Sequence, residues 1–135
     1  MSGPAILAQA IPAFVSLGPA WRKPTLCQAQ FTTATSGTAT MVDAETSRGV
    51  SVAESGVTDG LYTLTFPACK NFKLQSWNVA PATPATASNA RHLYFDEPAA
   101  SSGTVVFRSL AANGGALSSP NDTSTVTILF WLDLG

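Results

Sequence analysis

The sequence predicts an all-β protein: an antiparallel β-sandwich of about eight strands, jelly-roll or Greek-key, preceded by an extended N-terminal arm. Three observations carry that reading. Apolar and polar residues alternate over short runs, the period of a strand with one face in a core. Turn signals rich in Gly, Pro, Ser and Asn separate those runs at roughly ten-residue intervals, the spacing of sandwich folds. No run of helical period reaches a convincing length. At 135 residues, the chain makes one domain over residues 25–135 behind an arm of residues 1–24, long enough to bury about two-thirds of its unfolded surface.

Four prolines, Pro4, Pro12, Pro19 and Pro24, punctuate the apolar series Ile6, Leu7, Ile11, Phe14, Val15, Leu17 and Trp21 in the arm, a density that blocks a continuous helix. A secretory leader is not expected, because no Lys or Arg precedes the apolar part and Gln9 and Pro12 break it. The same interruptions argue against a membrane span. Stretched out, about twenty residues reach about 60 Å, past the edge of a domain this size. The arm is therefore expected to order where neighbouring copies or another protein cover it, the alternative being an arm folded back over its own sandwich.

From Thr25 the pattern is all-β. In Thr25–Thr35, Cys27, Ala29 and Phe31 alternate with Gln28, Gln30 and Thr32, and Ser36-Gly37 signals a turn into Thr38–Val42. A short strand over Gly49–Glu54 places Val50 and Val52 on one face. The pair Asp59-Gly60 then turns the chain, Gly accepting positive φ without steric cost. In the strand that follows, Tyr62, Leu64 and Phe66 alternate with Leu61, Thr63 and Thr65 until Pro67 stops it. Asn71–Val79 resumes the alternation across a short turn, but its phase shifts: Phe72 and Leu74 lie on one face, Trp77 and Val79 on the other. A β-bulge near Gln75 or Ser76 reconciles them, the alternative being an outward Trp77.

Residues 81–89, where Pro-Ala-Thr occurs twice, read as an exposed loop. Arg91–Asp96 is a strand in which Leu93 and Phe95 oppose His92 and Tyr94. Ser101-Ser102-Gly103 turns into the strand Thr104–Ser109, and Ala111–Asp122 is a long Gly, Ser and Asn loop. The last strand, Thr123–Leu134, carries Val126, Ile128, Phe130 and Leu132 on one face and Leu129 and Trp131 on the other. A strand apolar on both sides has to be covered on both, by a second sheet on one side and by the arm or another subunit on the other, which marks Leu129 and Trp131 as a partner interface; the alternative is a central strand whose outer face meets only its own loops.

Charged residues make up 11% of the chain, against roughly 25% in an ordinary soluble domain. A sparsely charged, Thr- and Ser-rich exterior gives little repulsion between copies. The formal net charge of −1, with only 7 Lys and Arg, argues against direct nucleic-acid binding, which needs clustered cations. Cys27 and Cys69 are either two reduced core thiols or a disulfide closing a loop of about forty residues, worth roughly 4 kcal/mol.

No catalytic constellation is legible. His92 is the sole histidine, and with Cys27 and Cys69 it falls short of the four ligands of a structural zinc. Neither cysteine sits in a nucleophile motif. Asp96-Glu97 is adjacent on a strand, so the two carboxylates point to opposite faces. Asn113-Gly114-Gly115 lacks the residues of a phosphate loop. The expectation is a protein without enzymatic activity, cofactor or metal. Trp21, Trp77 and Trp131 are read as core or interface aromatics, the alternative being a sugar-stacking platform.

The Met1-Ser2-Gly3 start, the apolar arm Ser2–Pro24, the strand Asp59–Phe66, the Thr-rich body and the terminal strand Thr125–Trp131 together resemble the small head decoration, or cement, proteins of tailed bacteriophages. That resemblance implies a compact β-fold on the outer capsid surface of a virion. It implies a dimer or trimer that bridges subunits of the major capsid protein where packaged DNA presses outward, with no catalytic residues. A carbohydrate- or receptor-binding module of a viral fibre or spike, using exposed aromatics and the 111–122 loop, is the second expectation.

Overall fold

In the computed structural model, which describes residues 24–33, 38–55, 59–82, 90–111, 115–118 and 124–135, eight strands form two four-stranded antiparallel sheets. The strands are β1 (Thr25–Thr33), β2 (Ala39–Met41), β3 (Ser51–Glu54), β4 (Leu61–Thr65), β5 (Asn71–Ala80), β6 (Arg91–Phe95), β7 (Thr104–Ala111) and β8 (Thr125–Asp133). The first sheet has the order β2-β1-β8-β5 and the second β3-β4-β7-β6. Hairpin neighbours β1/β2, β3/β4 and β6/β7 are joined by the long-range pairs β1/β8, β5/β8 and β4/β7. The antiparallel sandwich is present as expected, and the helical content of the described residues is limited to 3₁₀ turns at Asp43–Glu45 and Ala100–Ser102.

Alternation decides which side chains meet between the sheets. Cys27, Ala29 and Phe31 of β1, Tyr62 and Leu64 of β4, Val105 and Phe107 of β7, and Val126, Ile128, Phe130 and Leu132 of β8 are all buried. Two aromatic groups fill the core. Tyr62 stacks on Phe107 at 5.2 Å with Phe31 and Phe95 against them, and Phe72 stacks on Phe66 at 4.9 Å and on Phe130 at 5.2 Å. Each such pair adds about 1 kcal/mol beyond the area it buries.

Tyr62–Phe66 and Phe72–Leu74 read in sequence as strands following one another across a turn. In space β4 and β5 lie in different sheets, and residues 66–70 carry the chain across the sandwich. That crossing is pinned by Gly103. Its φ is +72°, and a Cβ there would stand 2.2 Å from the Phe66 carbonyl oxygen, so only glycine fits. Gly60 takes φ +83° in the turn before β4, as its position in Asp59-Gly60 implied.

The phase shift in β5 is a β-bulge between Leu74 and Ser76. Before it, Phe72 and Leu74 face Leu132 and Phe130; after it, Trp77 and Val79 pair with Ile128 and Val126 on the same core side. The bulge keeps all four side chains turned inward. Val50 and Val52 are both buried, and the strand around them is shorter than expected, starting at Ser51. Cys27 is buried and Cys69 half-buried, both as free thiols.

A candidate docking face on the first sheet

The side of the first sheet turned away from the core is built by the residues that alternate with the buried ones. Antiparallel pairing sets Leu26 beside Trp131 and Trp131 beside Lys73; the next row is Gln28, Leu129 and Ser76. Three large apolar side chains, Leu26, Leu129 and Trp131, therefore share this face on adjacent strands. Leu26 is 49% exposed, and Leu129 and Trp131 are half-buried.

Trp131 is held in place. Its Nε1–H donates to Gln75 Oε1 at 2.8 Å, and Gln75 is the residue that the β5 bulge leaves without a partner opposite it in β8. One extra residue thus turns Trp77 into the core and puts an amide at the N–H edge of the Trp131 indole on the outer face. Beyond Leu129 the face becomes polar: Gln30, Thr127 and Asn78 form the next row, and Thr32 lies beside Thr125.

The edge of β1 is guarded where the loop after β2 reaches it. Gln28 N–H donates to Ser47 Oγ (2.9 Å) and Gln30 N–H to Thr46 Oγ1 (3.2 Å), while Ser47 N–H and Val42 N–H donate to the carbonyls of Gln28 and Gln30 at 2.8 Å. This cover, which blocks strand addition, stops at Gln28. Leu26 lies past it, two residues from Pro24, where the chain joins the sheet. The apolar cluster and the point of entry of residues 1–23 are at the same end of the same sheet.

Of the predicted interface residues, Leu129 and Trp131 come together on this face, and Ile6, Leu7, Ile11, Phe14, Val15, Leu17 and Trp21 lie outside the described residues. Leu26 was missed in the sequence, although the phase that places Cys27 and Ala29 inward places Leu26 outward. The tryptophans do not make one platform: Trp77 is on the core side of the first sheet and Trp131 on its outer side, and Trp21 is outside the described residues.

Other predicted groups are placed as follows. His92 is exposed, its ring edge-on to Trp77 at 5.0 Å. Asp96, one residue past the end of β6, forms an ion pair with Arg108. Of the 111–122 loop, residues 115–118 are described; Leu117 bridges Leu110, and Ser118 N–H donates to the Ser109 carbonyl at 2.9 Å. The turns at Ser36-Gly37 and Asn113-Gly114, and residues 83–89, lie outside the described residues. Among the described residues no group of three or more His, Cys, Asp or Glu is arranged to hold a metal ion, and no helix is long and apolar enough to cross a membrane. Burial pushes the thiols of Cys27 and Cys69 above the ordinary value, the direction opposite to an activated nucleophile. Compared with protein-family models, curated proteins and solved structures, the chain matches none of them.

Proposed function

We propose that the protein is a virion structural protein: a homo-oligomer, dimer or trimer, that decorates the outer surface of an icosahedral capsid and stabilises it by bridging major capsid subunits. The observation that supports this reading is the outer face of the first sheet. Leu26, Leu129 and Trp131 add nothing to the core between the sheets, yet they cluster where an apolar segment of some two dozen residues joins the domain. Such a face gains by being covered, and the preceding segment offers Ile6 to Trp21 as a second point of attachment.

Repetition by symmetry supplies the strength. A modest contact at each face and arm becomes near-permanent attachment when several are joined in one oligomer, because each further contact forms at high effective concentration. No deep pocket is needed for that, and no nucleic-acid or membrane contact enters it.

The experiment is deletion of residues 1–22. The truncated protein is expected to melt as the full chain does and to lose most of its attachment when added to native particles stripped of it. Attachment at full strength by the truncated chain overturns the role of the arm. A Leu129→Ser/Trp131→Ser variant tests the face separately, with weakened attachment of a folded domain as the expected result.

A further inference from the structure

The opposite side of the sandwich, the outer face of the second sheet, has a different chemistry. Alternation along β6 puts His92 and Tyr94 outward on consecutive same-face positions, with Asp96 two residues on. Across the strand pair Tyr94 lies beside Arg108 and His92 beside Leu110. Tyr94 is 58% exposed, the most exposed large apolar or aromatic side chain of the described residues. The Asp96 carboxylate and the Arg108 guanidinium form an ion pair next to it, both side chains about one-third exposed (35% and 38%). The His92 ring is instead turned round the edge of β6 to an edge-on contact with Trp77 of the other sheet.

We infer that this surface, with Tyr94 at its centre and Asp96 and Arg108 beside it, binds a hexopyranose unit of a glycan chain. A pyranose presents an apolar C–H face, which an exposed aromatic ring accepts by stacking. Its rim of hydroxyls both donates and accepts. Asp96 offers acceptors and Arg108 offers donors in a fixed fork. A few polar groups convergent on an aromatic surface fix the orientation of such a ligand.

Base stacking of single-stranded nucleic acid uses aromatics too, but it needs cations free to meet phosphate. Here the Arg108 charge is matched by Asp96, and the chain as a whole carries −1. A neutral polyhydroxyl ligand suits that balance better than a polyanion. The inference does not rest on capsid attachment, since it concerns the other face and is tested on free protein.

The test is a glycan array presenting chains ended by glucose, galactose, mannose or N-acetylglucosamine, followed by NMR titration of the full chain with the best-bound oligosaccharide. Saturable binding is expected, with amide shifts centred on Tyr94 and Arg108. Tyr94→Ala is expected to weaken it about tenfold or more and Asp96→Asn severalfold, while Tyr94→Phe, which keeps the ring, retains most of it. Tyr94 supports no core contact, and an unchanged melting temperature shows that the variants are folded. No binding anywhere on the array, equal binding by Tyr94→Ala, or binding of oligo(dT) in place of sugar each overturns the inference.

Discussion

The two sheets share one core and differ on the sides turned away from it. The outer face of the first sheet carries Leu26, Leu129 and Trp131 at the end where the chain enters β1; that of the second carries Thr63, Thr65, Tyr94 and the Arg108–Asp96 pair. A sandwich of this size needs only its inner faces to be apolar. Neither sheet keeps strictly to that rule: besides the exposed Tyr94, the second turns Leu61, Val106 and Leu110 outward, all half-buried. What sets the first apart is where its surplus lies, gathered with the 49% exposed Leu26 at the point where the chain enters β1.

The comparison breaks most visibly on β8 itself, where adjacent residues face opposite ways. Phe130→Ala removes a ring packed against Phe66 and Phe72 and is expected to cost about 3–5 kcal/mol. Trp131→Ala, one residue on, is expected to cost about 1 kcal/mol or less, because it loses one amide hydrogen bond and a partly solvated surface. Urea unfolding of both variants reads the difference. Equal costs would mean that the outer face is already covered within a single chain, and the surplus would vanish.

A second experiment separates the two roles of the bulge. Inserting one alanine between Ser76 and Trp77 adds a residue that the bulge does not absorb, so that Trp77 and Val79 turn outward; the loss is about 3 kcal/mol. Deleting Gln75 restores unbroken alternation, with Phe72, Leu74, Trp77 and Val79 all inward, and like Gln75→Ala gives up the bond to Trp131, about 0.5–1 kcal/mol. A deletion as costly as the insertion would show that the bulge itself, and not the alternation alone, holds Trp77 inward.

The bulge also marks what was legible in the sequence. Period-two alternation named the core face of β1, β3, β4, β6 and β8, though not of β2 or β7, and the broken phase between Leu74 and Trp77 located the irregularity to within a residue. Alternation carries no information about neighbours, because pairing is decided by contacts distant in the chain. The separation of β4 from β5 into different sheets could not be read from Pro67 and the residues around it. Nor could the meeting of Leu26, Trp131 and Gln75, which needs β1, β8 and β5 side by side. Tyr94 was placed opposite Leu93 and Phe95, but its company with Arg108 and Asp96 rests on the β6/β7 register.

Between the faces, the core is not uniformly apolar. The hydroxyls of Ser109 and Ser124 are buried without a hydrogen-bond partner, in positions where β7 finishes and β8 begins. An unpartnered buried hydroxyl is a net cost, so Ser109→Ala and Ser124→Ala are each expected to stabilise by about 1 kcal/mol, read as a higher urea midpoint. Destabilisation by either would show that the hydroxyl is satisfied in solution and that the core is wetter at that end.

The smallest effect probes the inner side of the residue pair that begins the docking face. Leu26 points outward and Cys27 inward, 7% exposed; burial raises the Cys27 thiol, partly offset by the Ser47 hydroxyl, with Cys69 adding to the rise. A raised thiol stays protonated in the folded chain while the unfolded chain ionises. Its contribution is thus fully present below the ordinary thiol range and is lost as pH climbs toward the raised folded value. Cys69, half-buried and also raised by burial, acts with the same sign. Urea midpoints followed from about pH 8 to pH 10 should fall more steeply for the native chain than for Cys27→Ala. Parallel slopes would place Cys27 in a hydrated setting, and the contrast between the two sides of β1 at its first turns would then be one of size and not of solvent.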